Sequence, residues 1–291
     1  YCYSREALLM VVADGMGGHH YGEIAAQIAV QTLADNFQRE ARPTLVDPFR
    51  FLQKGMTNAH HAILDFAERH KLSDTPRTTC VACLVQDNVA YWAHAGDSRL
   101  FLMRGGKVVA QTRDHSRIRI LIEEGLLSEA RAATHPDRNK IYSCLGSPTP
   151  PEIEFSRKTP LNHGDILLLC TDGLWGEIHG NAMAQALKGS NIVHAVPMLL
   201  SQAEAKGGQH VDNLSVVAVR WEETYLDEAS SSISTQTMAL DEIATHIEEF
   251  GRDPAHKTDL SESEIEQAIE EIRAAIDKFN PKRQGQWACA P

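Results

Sequence analysis

The stretch VVADGMGGHH, residues 11–20, places a carboxylate where an apolar strand should simply turn. Val11 and Val12 read as buried strand, yet the run ends on Asp14, followed at once by Gly15 and by two further glycines, Gly17 and Gly18. Glycine lets backbone approach a ligand without a Cβ in the way. A strand that delivers an acid into such a loop is poorly suited to packing and well suited to gripping a cation.

Three other aspartates occupy similar positions. Asp97 follows AYWAHAG and precedes Ser98 and Arg99; Asp172 follows the apolar ILLLCT and precedes Gly173; Asp212 precedes the apolar LSVVAV. Each alone is readily explained as a turn or cap residue. Together they repeat one arrangement, an acid at the edge of a buried strand. Mg²⁺ and Mn²⁺ prefer oxygen donors and keep several waters, so a few carboxylates from separate loops can hold them.

The chain around these positions has 291 residues, enough for one large domain with an appendage, and is 43% hydrophobic. No apolar run approaches the ~18 residues of a bilayer span, and no leader pattern opens the sequence, so a cytoplasmic protein is expected. Twenty-eight basic and 39 acidic side chains give a net charge of −11, which argues against a nucleic-acid partner. Six cysteines include a Cys80-Cys83 pair. Residues three apart on a strand face opposite ways, and no second CxxC or Cys-His cluster completes a zinc site, so free buried thiols are expected.

Periodicity predicts strands over 7–13, 78–86, 89–95, 99–104, 107–111, 152–157, 165–171 and 214–221. Asp87-Asn88 and Gly105-Gly106 are the expected hairpin turns. Helices are expected over 23–37, about 47–70, 180–188 and 191–205, with a polar helical excursion over 116–133. Strands and helical layers in this order suggest two sheets covered outside by helices. Core-like periodicity stops at Trp221. Residues 222–235 read as a serine-rich linker, and 236–291 as an acidic tail with two amphipathic helices, on Leu240, Ile243, Ile247 and Phe250 and on Ile265, Ile269, Ile272, Ile276 and Phe279. The tail is expected to fold back on the domain, with a partner or a second copy as the alternative occupant.

VVADGMGGH, AHAGDSRLFLMRGGKV, DHS, LLLCTDGLW and VDNLSVVAV, in this order, resemble the metal-dependent protein phosphatases, the 2C-type serine/threonine enzymes, in a bacterial form. The resemblance spans roughly residues 6–221. It implies an α+β fold, a four-layer α-β-β-α sandwich of two antiparallel sheets. It also implies that Asp14 bridges two Mg²⁺ or Mn²⁺ ions, that Gly15 adds its carbonyl oxygen, and that Asp172 and Asp212 each hold one ion. Asp97 matches the aspartate that shares a third, weaker ion with Asp172 in many members. The implied reaction is hydrolysis of phosphoserine and phosphothreonine in proteins by a metal-activated water, in opposition to a cognate serine/threonine kinase.

Three departures accompany the resemblance. Met16 stands where some members carry a histidine, leaving His19 as the candidate proton donor to the leaving oxygen. Gly176 stands where many carry another acid, with Glu177 next to it. The family's first strand, which carries a phosphate-binding Arg and an acidic ligand, should end about where Tyr1 begins, so an upstream Arg and acid are expected to complete the site. The competing expectation is an impaired, phosphatase-like binding module.

Overall fold

The computed structural model describes residues 1–4, 6–16, 21–128, 131, 135, 137, 140–208 and 212–222. His19, most of the linker and the whole expected tail, Cys289 included, lie outside the described residues.

Ten strands and six helices are described. Strands β1 (Cys2–Tyr3) and β2 (Ala7–Val12) precede helices α1 (Gly22–Glu40) and α2 (Pro48–Arg69). Four strands follow in succession: β3 (Cys80–Gln86), β4 (Val89–Ala95), β5 (Arg99–Arg104) and β6 (Lys107–Gln111). Helix α3 (Arg117–Glu123) opens the polar excursion, and β7 (Glu154–Phe155) and β8 (Thr159–Pro160) return from it. The chain then forms β9 (Ile166–Cys170), α4 (Asp172–Trp175), α5 (Gly180–Leu187), α6 (Ile192–Gly207) and β10 (Val216–Arg220).

The strands make two antiparallel sheets. The first runs β1-β2-β3-β4-β7, with β8 also on β4, and the second runs β10-β9-β5-β6. Turn chemistry sets the hairpins. Asp87 and Asn88 both have positive φ, 53° and 59°, the geometry that joins β3 to β4 without splaying them. The expected strand over 152–157 shrinks to the dipeptide β7, and a second dipeptide, β8, follows beyond it; both pair with β4. Strand β1 is an element that hydrophobic patterning did not expect; its register is Cys2 with Leu9 and Tyr3 with Leu8.

Side-chain alternation fills three apolar layers. Met10, Val12, Val81, Cys83, Leu100, Leu167 and Leu169 meet between the sheets. Phe101, Ile166, Leu168 and Cys170 point the other way, against Met183, Ala184 and Leu187 of α5 and Leu199 of α6. On the far face of the first sheet, α1 packs on β2 while α2 packs on β3 and β4. Those two helices also lock together: Phe37 meets Phe51 edge to face at 6.2 Å, and Phe49 meets Tyr91 of β4 at 5.2 Å. The four layers are helix, sheet, sheet, helix, as the resemblance implied. Cys80 and Cys83 are free and buried, one on each face of β3.

Leu169 is fully buried between the sheets, so Leu169→Ala should lower unfolding free energy by about 2–5 kcal/mol in urea titrations. Val109→Ala, on the exposed edge strand β6, should stay within about 0.5 kcal/mol.

Candidate metal centre

Strand register brings the four aspartates to one rim. In the first sheet, Val12 at the end of β2 pairs with Val81 near the start of β3, and Cys80 pairs with Ala95 at the end of β4. In the second, Cys170 at the end of β9 pairs both with Arg99 at the start of β5 and with Val216 at the start of β10. Asp14, Asp97, Asp172 and Asp212 lie just beyond these ends. Asp97 sits in the three-residue turn where the chain crosses from one sheet to the other.

Short side chains stitch this rim together. Asp14 N–H donates to Thr79 Oγ1 at 3.2 Å, while Thr79 N–H and Thr78 Oγ1–H donate to the Asp14 carbonyl at 2.9 and 2.8 Å. Thr79 Oγ1 and Ser98 Oγ share a 2.7 Å hydrogen bond across the sheets. Trp175 Nε1–H donates to the Asp97 carbonyl at 2.9 Å. Thr171 Oγ1–H donates to the Asn213 carbonyl at 2.9 Å and accepts from Ser215 N–H at 3.1 Å, which holds Asp172 beside Asp212.

Glycines are required by space as much as by conformation. A Cβ on Gly15 would stand 2.4 Å from the carbonyl carbon and oxygen of Gly22, and one on Gly173 would stand 2.7 Å from the Asn213 carbonyl oxygen. The same test explains the departure at Gly176, where a Cβ would meet the Asp172 carbonyl oxygen at 2.7 Å.

The electrostatics are those of an anion cluster. Burial, then the charges of Asp172 and Asp212, push the Asp14 carboxyl up to about 7. Burial and the Asp172 charge push Asp97 up to about 7 as well. Burial, then the Asp212 charge, raises Asp172, whose Oδ1 is buried without a hydrogen-bond partner among the described residues.

Two other acids in the same fold show what a structural carboxylate looks like here. Asp165 is gripped bidentately by Arg104 at 2.7 and 2.7 Å, and Asp114 by Arg99 at 2.7 and 2.6 Å. Among the described residues Asp14, Asp97 and Asp172 have no such cation. Converging buried acids without a counter-charge are stable only when protonated or when they hold a metal ion. The all-oxygen donor set and the orphaned Asp172 Oδ1 fit a hard divalent cation.

The structure thus brings Asp14, Gly15, Asp97, Asp172 and Asp212 to one site, and His19 lies outside the described residues. Missed in the sequence were Thr78, Thr79 and Ser98, whose hydroxyls fix the rim. Their only signal was small polar residues directly flanking buried strands.

Gly15→Ala should lower Tm by about 2–12 °C, since the added methyl meets backbone that cannot yield. A thermal scan with Mn²⁺ should raise the wild-type Tm and leave that of the variant nearly unmoved.

Comparison with known proteins agrees with this geometry. The Protein phosphatase 2C family model matches residues 2–210. The serine/threonine phosphatase stp of Listeria innocua is 30% identical over 213 residues, covering 72% of this chain and 83% of that protein. Among solved structures, the Streptococcus agalactiae serine/threonine phosphatase superposes with a TM-score of 0.68 at 27% identity, over 76% of this chain and 90% of that one. The catalytic domain of the serine/threonine protein phosphatase PstP, in complex with 2 manganese ions, gives 0.62 at 29% identity over 73% and 87%. A fold of two antiparallel sheets between helices, an oxygen-rich rim and a match over most of its length together establish that this chain belongs to the protein phosphatase 2C family.

Proposed function

We propose that this chain is a divalent-metal-dependent protein serine/threonine phosphatase, and that Asp14, Gly15, Asp172 and Asp212 hold a pair of Mg²⁺ or Mn²⁺ ions. The observation that carries this is the rim itself: half-buried carboxylates, Asp14, Asp97 and Asp172, crowded together with no basic partner among the described residues, in a fold that pairs Asp114 and Asp165 with arginines. Asp14, the Gly15 carbonyl, Asp172 and Asp212 would hold the ions between them. Asp97 joins Asp172 at a weaker third position.

Bound there, the ions supply an activated water near neutral pH and neutralise the phosphoryl oxygens during in-line attack. The protein's own work is to hold these oxygens rigid before substrate arrives, which the Thr79–Ser98 and Thr171–Asn213 bonds do. His19 is proposed to protonate the leaving serine or threonine oxygen. Cys80, Cys83 and Cys170 are excluded as nucleophiles on energetic grounds. Burial pushes Cys80 and Cys170 up to about 12 and Cys83 higher still, so all three stay protonated and inaccessible.

The substrates proposed are phosphoserine and phosphothreonine proteins of a kinase pathway in the cytoplasm. Among the described residues no helix is long and apolar enough to cross a membrane. Residues 1–221 are proposed as the catalytic domain, 222–235 as a linker, and 236–291 as an acidic amphipathic helical tail. A binding module without turnover would have no use for unpaired acids at such electrostatic cost.

The natural full-length chain should hydrolyse p-nitrophenyl phosphate and a phosphothreonine peptide with Mn²⁺ and lose all turnover in EDTA. Asp14→Asn and Asp172→Asn should each lower kcat/KM by roughly 1000-fold or more, the several kcal/mol that metal catalysis supplies. Turnover indifferent to EDTA would discard the metal mechanism, and no turnover with intact folding would favour the binding module.

A further inference from the structure

A second donor cluster is of a different chemical kind from the carboxylate rim. His94 on β4, His115 in the loop after β6 and Glu154 on β7 each offer one ligand atom, and the three atoms lie within 4.8 Å of one another. Both imidazoles are almost wholly buried, at 2% and 1% exposure, and their rings stack at 4.7 Å. His94 Nδ1 and His115 Nε2 are buried without a hydrogen-bond partner among the described residues. Glu154 Oε2 stands 3.6 Å from His115 Nε2, beyond hydrogen-bond reach, and its side chain is about half exposed, which opens the cluster to solvent on that side alone.

We propose that His94, His115 and Glu154 form a binding site for a borderline transition-metal ion, Zn²⁺ foremost, with a fourth position left to water. Two imidazole nitrogens and one carboxylate are a zinc donor set, and they discriminate against Mg²⁺, which the oxygen-only rim suits. His94 is already oriented as metal-ligating histidines are, since Nε2–H donates to the Arg113 carbonyl at 2.5 Å and leaves Nδ1 as the free lone pair. Burial lowers the pKa of both rings, so they are neutral and competent as ligands at physiological pH.

His115 adds a coupling. Its Nδ1 accepts from Gly96 N–H at 3.3 Å, so the neutral ring carries its proton on Nε2. Ligation through Nε2 moves that proton to Nδ1 and ends the bond to Gly96, the residue before Asp97. The ion therefore binds against the cost of one long hydrogen bond and loosens the turn that carries Asp97, while it ties the root of the excursion, through His115, to β4 and β7.

Equilibrium dialysis of the full chain against Zn²⁺ in excess Mg²⁺ tests the site, with bound zinc read by atomic emission and Co²⁺ absorption reporting imidazole ligation. Wild type should retain about one equivalent more zinc than Glu154→Ala, and His94→Gln should lose the same equivalent. Equal zinc in wild type and Glu154→Ala, or cobalt spectra unchanged by that substitution, would overturn the proposal. Glu154 is half exposed on a two-residue edge strand, so its variant decides the question even where His94→Gln does not fold.

Discussion

Mutual repulsion among Asp14, Asp97 and Asp172 is the constraint to which the rest of the fold answers. Burial, and after it the charge of a neighbouring carboxylate, raises the pKa of each of the three, and the fold has to hold them together against that cost. Their backbones leave strands whose register is fixed by continuous apolar faces on both sides. A one-residue slip of β9 would turn Leu167 and Leu169 out of the inter-sheet layer and bring Leu168 in from the helix side. The strain is placed where the scaffold is least able to relax, and a divalent cation held there would convert it into binding energy.

Much of this was legible in the chain. Continuous apolar strands ending in an acid and a glycine announced the rim, because such a carboxylate has no packing role. Asp87-Asn88 and Gly105-Gly106 marked their turns because positive φ is tolerated by few residues. The aspartate positions carried more information than the periodicity did. What could not be read was anything depending on partners distant in sequence. Asp165 and Asp114 look as isolated as Asp14 until Arg104 and Arg99 arrive from other strands. His94 and His115 are 21 positions apart in the sequence, and only the crossing of β4 with the loop after β6 stacks them. Strand β1 escaped notice because two residues carry no periodicity.

Around the acids the molecule separates its chemistries by donor hardness. Oxygen donors gather at the rim, Cys80, Cys83 and Cys170 lie buried where desolvation raises their thiol pKa, and the imidazoles of His94 and His115 sit as a stacked pair. Arg99 shows how charge is kept from leaking between these regions. Its guanidinium forks onto Asp114 and lies 3.5 Å over the Trp175 ring, so it is spent on one carboxylate and one aromatic face. The nearby acids are left uncompensated by the closest available cation.

That same residue joins the rim to the excursion mechanically. Trp175 carries Arg99 on its face and donates its indole N–H to the Asp97 carbonyl, while Asp114 on the other side of Arg99 begins the excursion. The two limbs of the excursion are then closed at a neck: Tyr142 N–H donates to the His115 carbonyl at 2.8 Å, Arg117 N–H to the Lys140 carbonyl at 3.2 Å, and Ser116 bridges Ile141. Displacement of the root at Asp114 would have to break a bidentate ion pair with only 10% of the acid exposed, whereas beyond the neck helix α3 buries only Ile118. Loop-closure entropy grows slowly with length, so the segment past the neck can change sequence and size at little cost while the rim keeps its geometry. A fixed neck separates the rim from the segment beyond it, so a change in that segment leaves the rim acids in place.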